Sequence, residues 1–368
     1  MITPDTPMPR RRIAVLTSGG DAPGMNAAIR AVVLVAHDLG LDVVGVRGGY
    51  RGLLDADLVD LDPSDVADIH RQGGTVLGTT RCPEMLTREG RDTARRRLAD
   101  VRVANLVVIG GNGSLAGARA LVDPAERGAQ DLRVMGIPAS IDNDIGHTRL
   151  AIGVDTAMNT IVDAVDKIAD TAAAHHRAFI VEVMGRECGY LAMATSVAAG
   201  ADVVLFRESG KSDEALVAEV ADAVQTARRR GRGRAIIIKA EGVQLGAPAL
   251  KARVDAVLAE RGERVETRVV VLGHVVRGGR PSAADRLMAS RLGHAAVRAF
   301  VDGEESAMVG WSPSRLPAGS KPSPADPRVA LVGLDDVLAE TARLLDASSP
   351  EARWRAQVFA QMGHVLRV

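Results

Sequence analysis

Aromatic side chains are scarce in this chain: two Trp, two Tyr and four Phe among 368 residues, 2% of the total. The interior must therefore be built from Ala, Val, Leu and Ile, which carry most of the 46% apolar content. Net charge is missing as well. Forty-six basic side chains offset 46 acidic ones, so no global field favours nucleic acid, and any anion site must be local. Cysteine is reduced to Cys82 and Cys188, too few for a disulfide framework or a metal cluster. A reduced, cytoplasmic setting is the expectation. No apolar run approaches the roughly 20 residues of a membrane span. Residues 1–9 are polar and proline-rich, which reads as a tail rather than a secretory signal. Two familiar nucleotide signatures are also missing. No G-x-G-x-x-G and no Walker loop is present, so neither a dinucleotide nor a P-loop reading is licensed.

What the chain does have is glycine, 38 residues of it, gathered where apolar runs end. Residues 12–17 read as a strand that breaks into Ser18-Gly19-Gly20-Asp21-Ala22-Pro23-Gly24-Met25-Asn26 before an Ala-rich helix to about residue 39. Strand 105–109 gives way to Gly110-Gly111-Asn112-Gly113-Ser114 and a helix through residue 121. Such strand, glycine loop, helix units put backbone N–H groups at a helix start, where anions bind. Further strands are read at 41–46, 132–137, 178–183, 203–206, 234–239 and 268–272. Helices are read at 64–71, 89–101, 152–174, 212–229 and 282–300. The Arg-rich helix 89–101 reads as a solvated face. Residues 312–328 read as a loop, with 330–345 and 351 onward helical. The alternation predicts an α/β fold: two doubly wound α/β (Rossmann-like) domains facing a central cleft. Residues 1–11 are expected to be a disordered tail. A larger domain is expected over residues 12–147 plus about 276–326, and a smaller one over 148–275 plus about 327–368.

The stretch that organises the chemistry is Pro138-Ala139-Ser140-Ile141-Asp142-Asn143-Asp144. It follows a buried strand. In an extended segment Asp142 and Asp144 project to the same side, past the carboxyl end of a strand, where open α/β sheets bind ligands. One carboxylate could take a proton from a hydroxyl while the other manages a metal; the plain alternative is a solvated turn. Gly73-Gly74-Thr75-Val76-Leu77-Gly78-Thr79-Thr80-Arg81 ends on a guanidinium fit for phosphate, or is a glycine hairpin. Gly273-His274-Val275-Val276-Arg277-Gly278-Gly279 offers a cation and an imidazole between glycines.

Taken together, these loops resemble the phosphofructokinase family, bacterial type, which includes ATP-dependent and pyrophosphate-dependent enzymes. Four stretches stand in the family's order over about residues 12–300: residues 16–26, Ile141-Asp142-Asn143-Asp144, Glu182-Val183-Met184-Gly185-Arg186 and residues 272–279. The resemblance implies a kinase moving the terminal phosphoryl of ATP to the 1-hydroxyl of fructose 6-phosphate. It implies Asp142 as the base, Asp144 toward Mg2+, Ser140 on the transferring phosphoryl, and Arg186 and Glu241 on the sugar, beside Met184 and Gly185. Arg177, Arg268, His274 and Arg277 would bind the 6-phosphate. Residues matching Arg177 and Arg268 reach in from a neighbouring subunit, which implies a homotetramer or homodimer. Gly20, Tyr50, Arg81, Gly111, Asn112, Gly113, Ser114 and Gly117 would line the donor site. Pyrophosphate users carry Asp at the position of Gly113 and Lys at that of Ala139, so the small residues here resemble the ATP pattern. Asn112 departs from the family, standing where a magnesium-binding Asp is usual; a carboxamide keeps an oxygen but loses the charge a hard cation prefers. The alternatives are a pyrophosphate-dependent enzyme and a catalytically weakened sugar-phosphate or nucleotide sensor. No nucleic acid and no membrane are expected as partners.

Overall fold

The computed structural model describes residues 11–126, 128, 131–313 and 316–362; nearly all of the expected N-terminal tail lies outside them. In chain order the first elements are β1 (Arg12–Ser18), α1 (Met25–Asp38), β2 (Asp42–Val46), α2 (Tyr50–Asp55), β3 (Leu58–Leu61), α3 (Arg88–Asp100), β4 (Val103–Gly110), α4 (Asn112–Leu121) and β5 (Arg133–Pro138). Next come α5 (Val154–Ala174), β6 (Ala178–Val183), α6 (Tyr190–Ala198), β7 (Val203–Leu205), α7 (Asp213–Arg229), β8 (Ala235–Ala240), α8 (Ala247–Glu260) and β9 (Thr267–Val271). The chain finishes with α9 (Ala283–Val301), β10 (Ala307–Trp311), β11 (Lys321–Ser323), β12 (Asp326–Gly333), α10 (Leu334–Leu345) and α11 (Pro350–Gln361).

These elements form two compact α/β units. The first comprises Met1–Ser140, Ile145–Gly153 and Arg280–Ala339; the second comprises Ile141–Asp144, Val154–Gly279 and Glu340–Val368. The first holds a mixed sheet in the order β11-β12-β10-β5-β4-β1-β2-β3. Its middle strands are parallel, while β3 and β12 run antiparallel to their neighbours β2 and β10. Parallel strands covered on both faces need unbroken apolar runs, and residues 13–16 and 106–109 are all fully buried. The chain winds from β1 to β2 in one direction and places β4 on the other side of β1. The loops after β1 and β4 therefore part at a topological switch point. With so few rings, helices pack closely. A Cβ on Gly293 of α9 would come within 2.7 Å of the Ala31 Cβ on α1.

The second unit holds a parallel sheet in the order β7-β8-β6-β9. Its core of Ile, Val, Leu and Ala includes Ile180, Leu205, Val220, Ile237 and Leu250. Ser212 caps α7 by accepting from the Ala215 N–H at 3.3 Å. Among the described residues no helix is long and apolar enough to cross a membrane.

Several sequence expectations are corrected. Residues 64–71 do not form a helix, only a 3₁₀ turn at Ile69–Arg71, and β3 precedes them. The chain makes a turn at residues 63–66 instead, where the Asp65 carboxylate accepts from the Asp62 N–H at 2.8 Å. The helix expected at 330–345 begins at residue 334, because Val329 to Val332 are core residues of β12, paired with β10. That strand also keeps the chain in the first unit to Ala339 rather than about residue 326. The Arg-rich α3 is not wholly solvated. Arg95 is buried and donates to the Leu121 carbonyl at 3.1 Å, and Arg91 grips Glu126 through two bonds of 2.7 and 2.6 Å.

Candidate active site

In the first unit the glycine loops meet at the switch point. Gly110 closes β4 so near the β1 loop that a Cβ would fall 2.4 Å from the Ser18 carbonyl oxygen and 2.5 Å from the Ser114 Oγ. Gly19, at φ +84°, also faces that hydroxyl. The segment 73–81 is tied to this junction rather than folded as a hairpin. Thr17 Oγ1 donates to the Gly78 carbonyl at 2.9 Å, and Thr79 Oγ1 donates to the Gly19 carbonyl at 2.9 Å. The Asn26 Oδ1 accepts from the Val76 N–H at 2.8 Å. Arg81 ends this segment, exposed, and Gly20 is exposed after β1.

α4 begins here with Gly111 as its N-cap and no capping side chain. An uncapped N-terminus presents N–H groups and the positive end of the helix dipole. Gly113 opens onto space: a Cβ there would meet nothing within 4 Å. The Ser114 hydroxyl is buried and has no hydrogen-bond partner among the described residues. A Cβ on Gly111 would lie 3.8 Å from the Ser140 Cβ, so Ser140 joins this group. Tyr50 and Gly117 stand differently from the expectation that they line a ligand. Tyr50 is buried and donates from its hydroxyl to the Ser114 carbonyl at 2.7 Å, and burial pushes its pKa well above the usual phenol value. Gly117 leaves room for that ring, since a Cβ would come within 2.9 Å of it. Together they brace the first turn of α4.

In the second unit, loops leave the carboxyl edge of the parallel sheet. The Glu241 N–H donates to the Val183 carbonyl at 2.9 Å, and the Leu272 N–H to the Glu182 carbonyl at 3.0 Å. The loops after β6 and β8 touch backbone to backbone: a Cβ on Gly242 would fall 2.0 Å from the Arg186 carbonyl oxygen. Gly185, at φ +128°, lets the first loop turn after the buried Met184. Arg186 and Glu241 are exposed at this edge. After β9, the 3₁₀ turn Gly273–Arg277 presents an exposed His274 and a half-buried Arg277.

Asp142 and Asp144 share this unit. Residues 141 and 142 form a turn, and Asn143 sits at φ +53°, so strand alternation is not what brings the two acids together. Burial raises the Asp142 carboxyl to about 6; nearby Asp144 adds to the rise, Arg277 opposes it and Glu241 adds a little. Two acids, a third carboxylate and one guanidinium therefore share a field at the strand ends. A carboxylate of this basicity remains ionised at neutral pH and can accept a hydroxyl proton.

Arg177 and Arg268 are not part of that cluster. Both pair with Glu266, at the amino ends of β6 and β9, where Ala178 stands opposite Thr267. The length of a strand, roughly 15 Å, separates them from the carboxyl edge.

Lys239 and Arg355 were not anticipated. Lys239 is buried, bonded from Nζ to Glu182 at 2.9 Å and to the Ala240 and Val243 carbonyls at 3.2 and 3.3 Å. A cation directly after Ile236-Ile237-Ile238, within an otherwise apolar strand, was the available signal. Arg355 of α11 reaches the Asn143 carbonyl at 3.0 Å, and nothing in its sequence surroundings marks it.

Residues 12–300 match the family described as Phosphofructokinase. The ATP-dependent 6-phosphofructokinase of Thermotoga petrophila is 48% identical over 306 residues, 83% of this chain and 91% of that protein. The ATP-dependent 6-phosphofructokinase 1 of Thermus thermophilus is 48% identical over 301 residues, 82% of this chain and 89% of that protein. Among solved structures, phosphofructokinase from Saccharomyces cerevisiae superposes with a TM-score of 0.81 at 34% identity over 95% of this chain. This chain spans 50% of that yeast chain's length. The glycine junction, the paired acids and the carboxyl-edge loops all fall within the matched span, and the chain belongs to the phosphofructokinase family.

Proposed function

We propose that this chain is an ATP-dependent 6-phosphofructokinase, transferring the terminal phosphoryl group of ATP to the 1-hydroxyl of fructose 6-phosphate in glycolysis. The observation that carries the reading is Asp142: a half-buried carboxyl raised to about 6 at the strand ends, beside Asp144, Glu241 and Arg277. In this reading Asp142 takes the proton as the hydroxyl oxygen attacks phosphorus. Arg186 and Glu241 orient the sugar over Met184 and Gly185. His274 and Arg277 hold its 6-phosphate, a role suited to a guanidinium fork. The donor phosphates lie along Gly20, Arg81 and the first turn of α4 at Gly111, Gly113 and Ser114, with Ser140 on the transferring group. Such transfer depends on positioning and charge neutralisation more than on covalent chemistry.

ATP is favoured over pyrophosphate because the space beside Gly113 is open, leaving room for a nucleotide's inner phosphate where an Asp side chain would fill it. Arg177 and Arg268, turned to the amino ends of their strands, support a homo-oligomer of two or four copies in which they serve a neighbour's 6-phosphate site. An assay offering ATP and pyrophosphate separately tests the donor. ATP is expected to sustain turnover and pyrophosphate only a trace. Equal or faster turnover with pyrophosphate overturns the donor, and ligand binding without turnover on either favours the sensor.

Among the described residues no group of three or more His, Cys, Asp or Glu side chains forms a metal cluster. Magnesium does not require one, since it binds through one or two carboxylates plus substrate phosphates. The repulsion from Asp144 that helps raise Asp142 is what a nearby divalent cation relieves, so the residues fit. Asp144 would hold magnesium, Asn112 more weakly, and the ion would supply charge neutralisation on the transferring phosphoryl. Asn112→Asp is expected to lower the magnesium concentration for half-maximal turnover, by roughly tenfold given the added ligand charge. A magnesium series with unchanged or poorer turnover would count against Asn112 as a ligand.

A further inference from the structure

The C-terminal helix α11 lies beyond residue 300, where the family match ends. It nevertheless sends one buried cation toward the candidate catalytic turn. The Arg355 side chain is 5% exposed. Its Nη1 donates to the Asn143 carbonyl at 3.0 Å, its Nε to Glu351 at 3.0 Å, and its guanidinium lies 4.9 Å from the centre of the Tyr190 ring. Each contact constrains a different element. Asn143 is the residue between Asp142 and Asp144, buried and held at φ +53°, a left-handed conformation that asparagine tolerates better than most but that still needs support. Tyr190 opens α6, directly after the loop that carries Arg186. Cys188 in that loop comes within 3.9 Å of the same Asn143 carbonyl. A planar guanidinium can donate in plane and stack on a ring at once, which an ammonium cannot.

We propose that Arg355 is a positioning residue: through the Asn143 carbonyl and the Tyr190 ring it fixes the Asp142–Asp144 turn against the Arg186 loop, so that the C-terminal helix sets the geometry of proton transfer. The proposal rests on the reading of Asp142 as the base. A displacement near 1 Å at such a site costs on the order of a hundredfold in rate, while substrate affinity, carried by other side chains, is spared.

The test uses the full chain with Arg355→Met, Arg355→Lys and, on the exposed side of the same helix, Trp354→Ala. Steady-state kinetics with ATP and fructose 6-phosphate are measured together with hydrogen–deuterium exchange of the amides at residues 142–145. R355M is expected to lose roughly thirtyfold to a hundredfold in kcat, with KM for both substrates within about twofold. Exchange at 142–145 should quicken at least tenfold, R355K should lie between R355M and the parent in both readouts, and W354A should match the parent. Exchange at the turn unchanged in R355M overturns the proposal whatever the activity. Faster exchange with unchanged kcat also overturns it, by showing that the turn is held without consequence for turnover. If R355M does not fold, R355K decides: a parent-like kcat and parent-like exchange there overturn the proposal. A parent inactive with every donor removes the functional reading instead; quickened exchange in R355M then still upholds Arg355 as the residue that holds the turn.

Discussion

Replacing Asp142 by asparagine is expected to lower kcat about a thousandfold, within the range general-base removal produces, with KM for fructose 6-phosphate little changed. Asparagine keeps the shape of the side chain and its hydrogen-bonding reach but cannot take a proton. The pH profile carries an independent sign. The working form is the carboxylate, and its pKa is raised to about 6 by burial and then by Asp144. Turnover in the parent should therefore fall away as pH drops through about 6, or somewhat lower once a cation on Asp144 stabilises the carboxylate. The variant should lack that limb. Stability should move the other way. A carboxyl whose folded pKa is raised costs stability, and the cost builds up as pH rises from the ordinary carboxylate range to about 6 and is fully present at neutral pH. D142N is thus expected to melt at the same temperature as the parent or higher at pH 7, which separates lost chemistry from lost folding. Retention of a tenth or more of the parent's kcat would remove Asp142 as the base.

The parts of this fold that could be read from sequence are those where one physical cause dominates. Strands such as Arg12–Ser18 and Ala178–Val183 are covered on both faces over residues 13–16 and 178–181, so those stretches appear as apolar runs, with a glycine a few residues beyond each. The glycine junction was legible because Gly110 is demanded by close backbone approach and Gly19 by its φ of +84°. Short elements hid other parts, such as the edge strand β3 and the turns that follow it. The paired acids depart from the route expected for them. Alternation along an extended chain predicts Asp142 and Asp144 on one side, whereas the chain turns here, with Asn143 at φ +53° and Asp144 acting electrostatically on Asp142. Arg177 and Arg268 are a different case. Strand direction puts them, paired with Glu266, at the other end of the sheet from His274 and Arg277, a separation that suits the expectation of service to a neighbouring subunit. Arg355 lies furthest from what sequence can show, because an arginine in a charged helix is ordinarily solvated, and its contacts with the Asn143 carbonyl and the Tyr190 ring exist only in the folded chain.

Lys239 gives the largest expected effect on stability. Its ammonium is buried at 1% side-chain exposure against Glu182 at 19%, 2.9 Å away, and the parallel register of β6 and β8 sets the two residues opposite one another. Three donors find three acceptors, the carboxylate and the carbonyls of Ala240 and Val243, so the ammonium is fully satisfied. Removing one partner of such a pair strands the other. Lys239→Met is expected to cost about 3 kcal/mol, the lower end for buried pairs because Glu182 retains some water. For a unit of this size that is a fall in melting temperature of roughly 6–12 °C. Replacing both partners, Lys239→Met with Glu182→Leu, leaves no orphaned charge and should recover most of the loss, since apolar replacement of a whole buried pair is often neutral. The two carbonyls belong to the turn that carries Glu241, so both variants should also show a raised KM for fructose 6-phosphate even where the double variant melts like the parent. Thermal denaturation of the two single variants and the double variant, with KM measured on each, separates these effects. A single Lys239→Met variant that melts within 2 °C of the parent, a threshold well below the shift expected here, would mean that the pair is not holding the carboxyl edge of this sheet together.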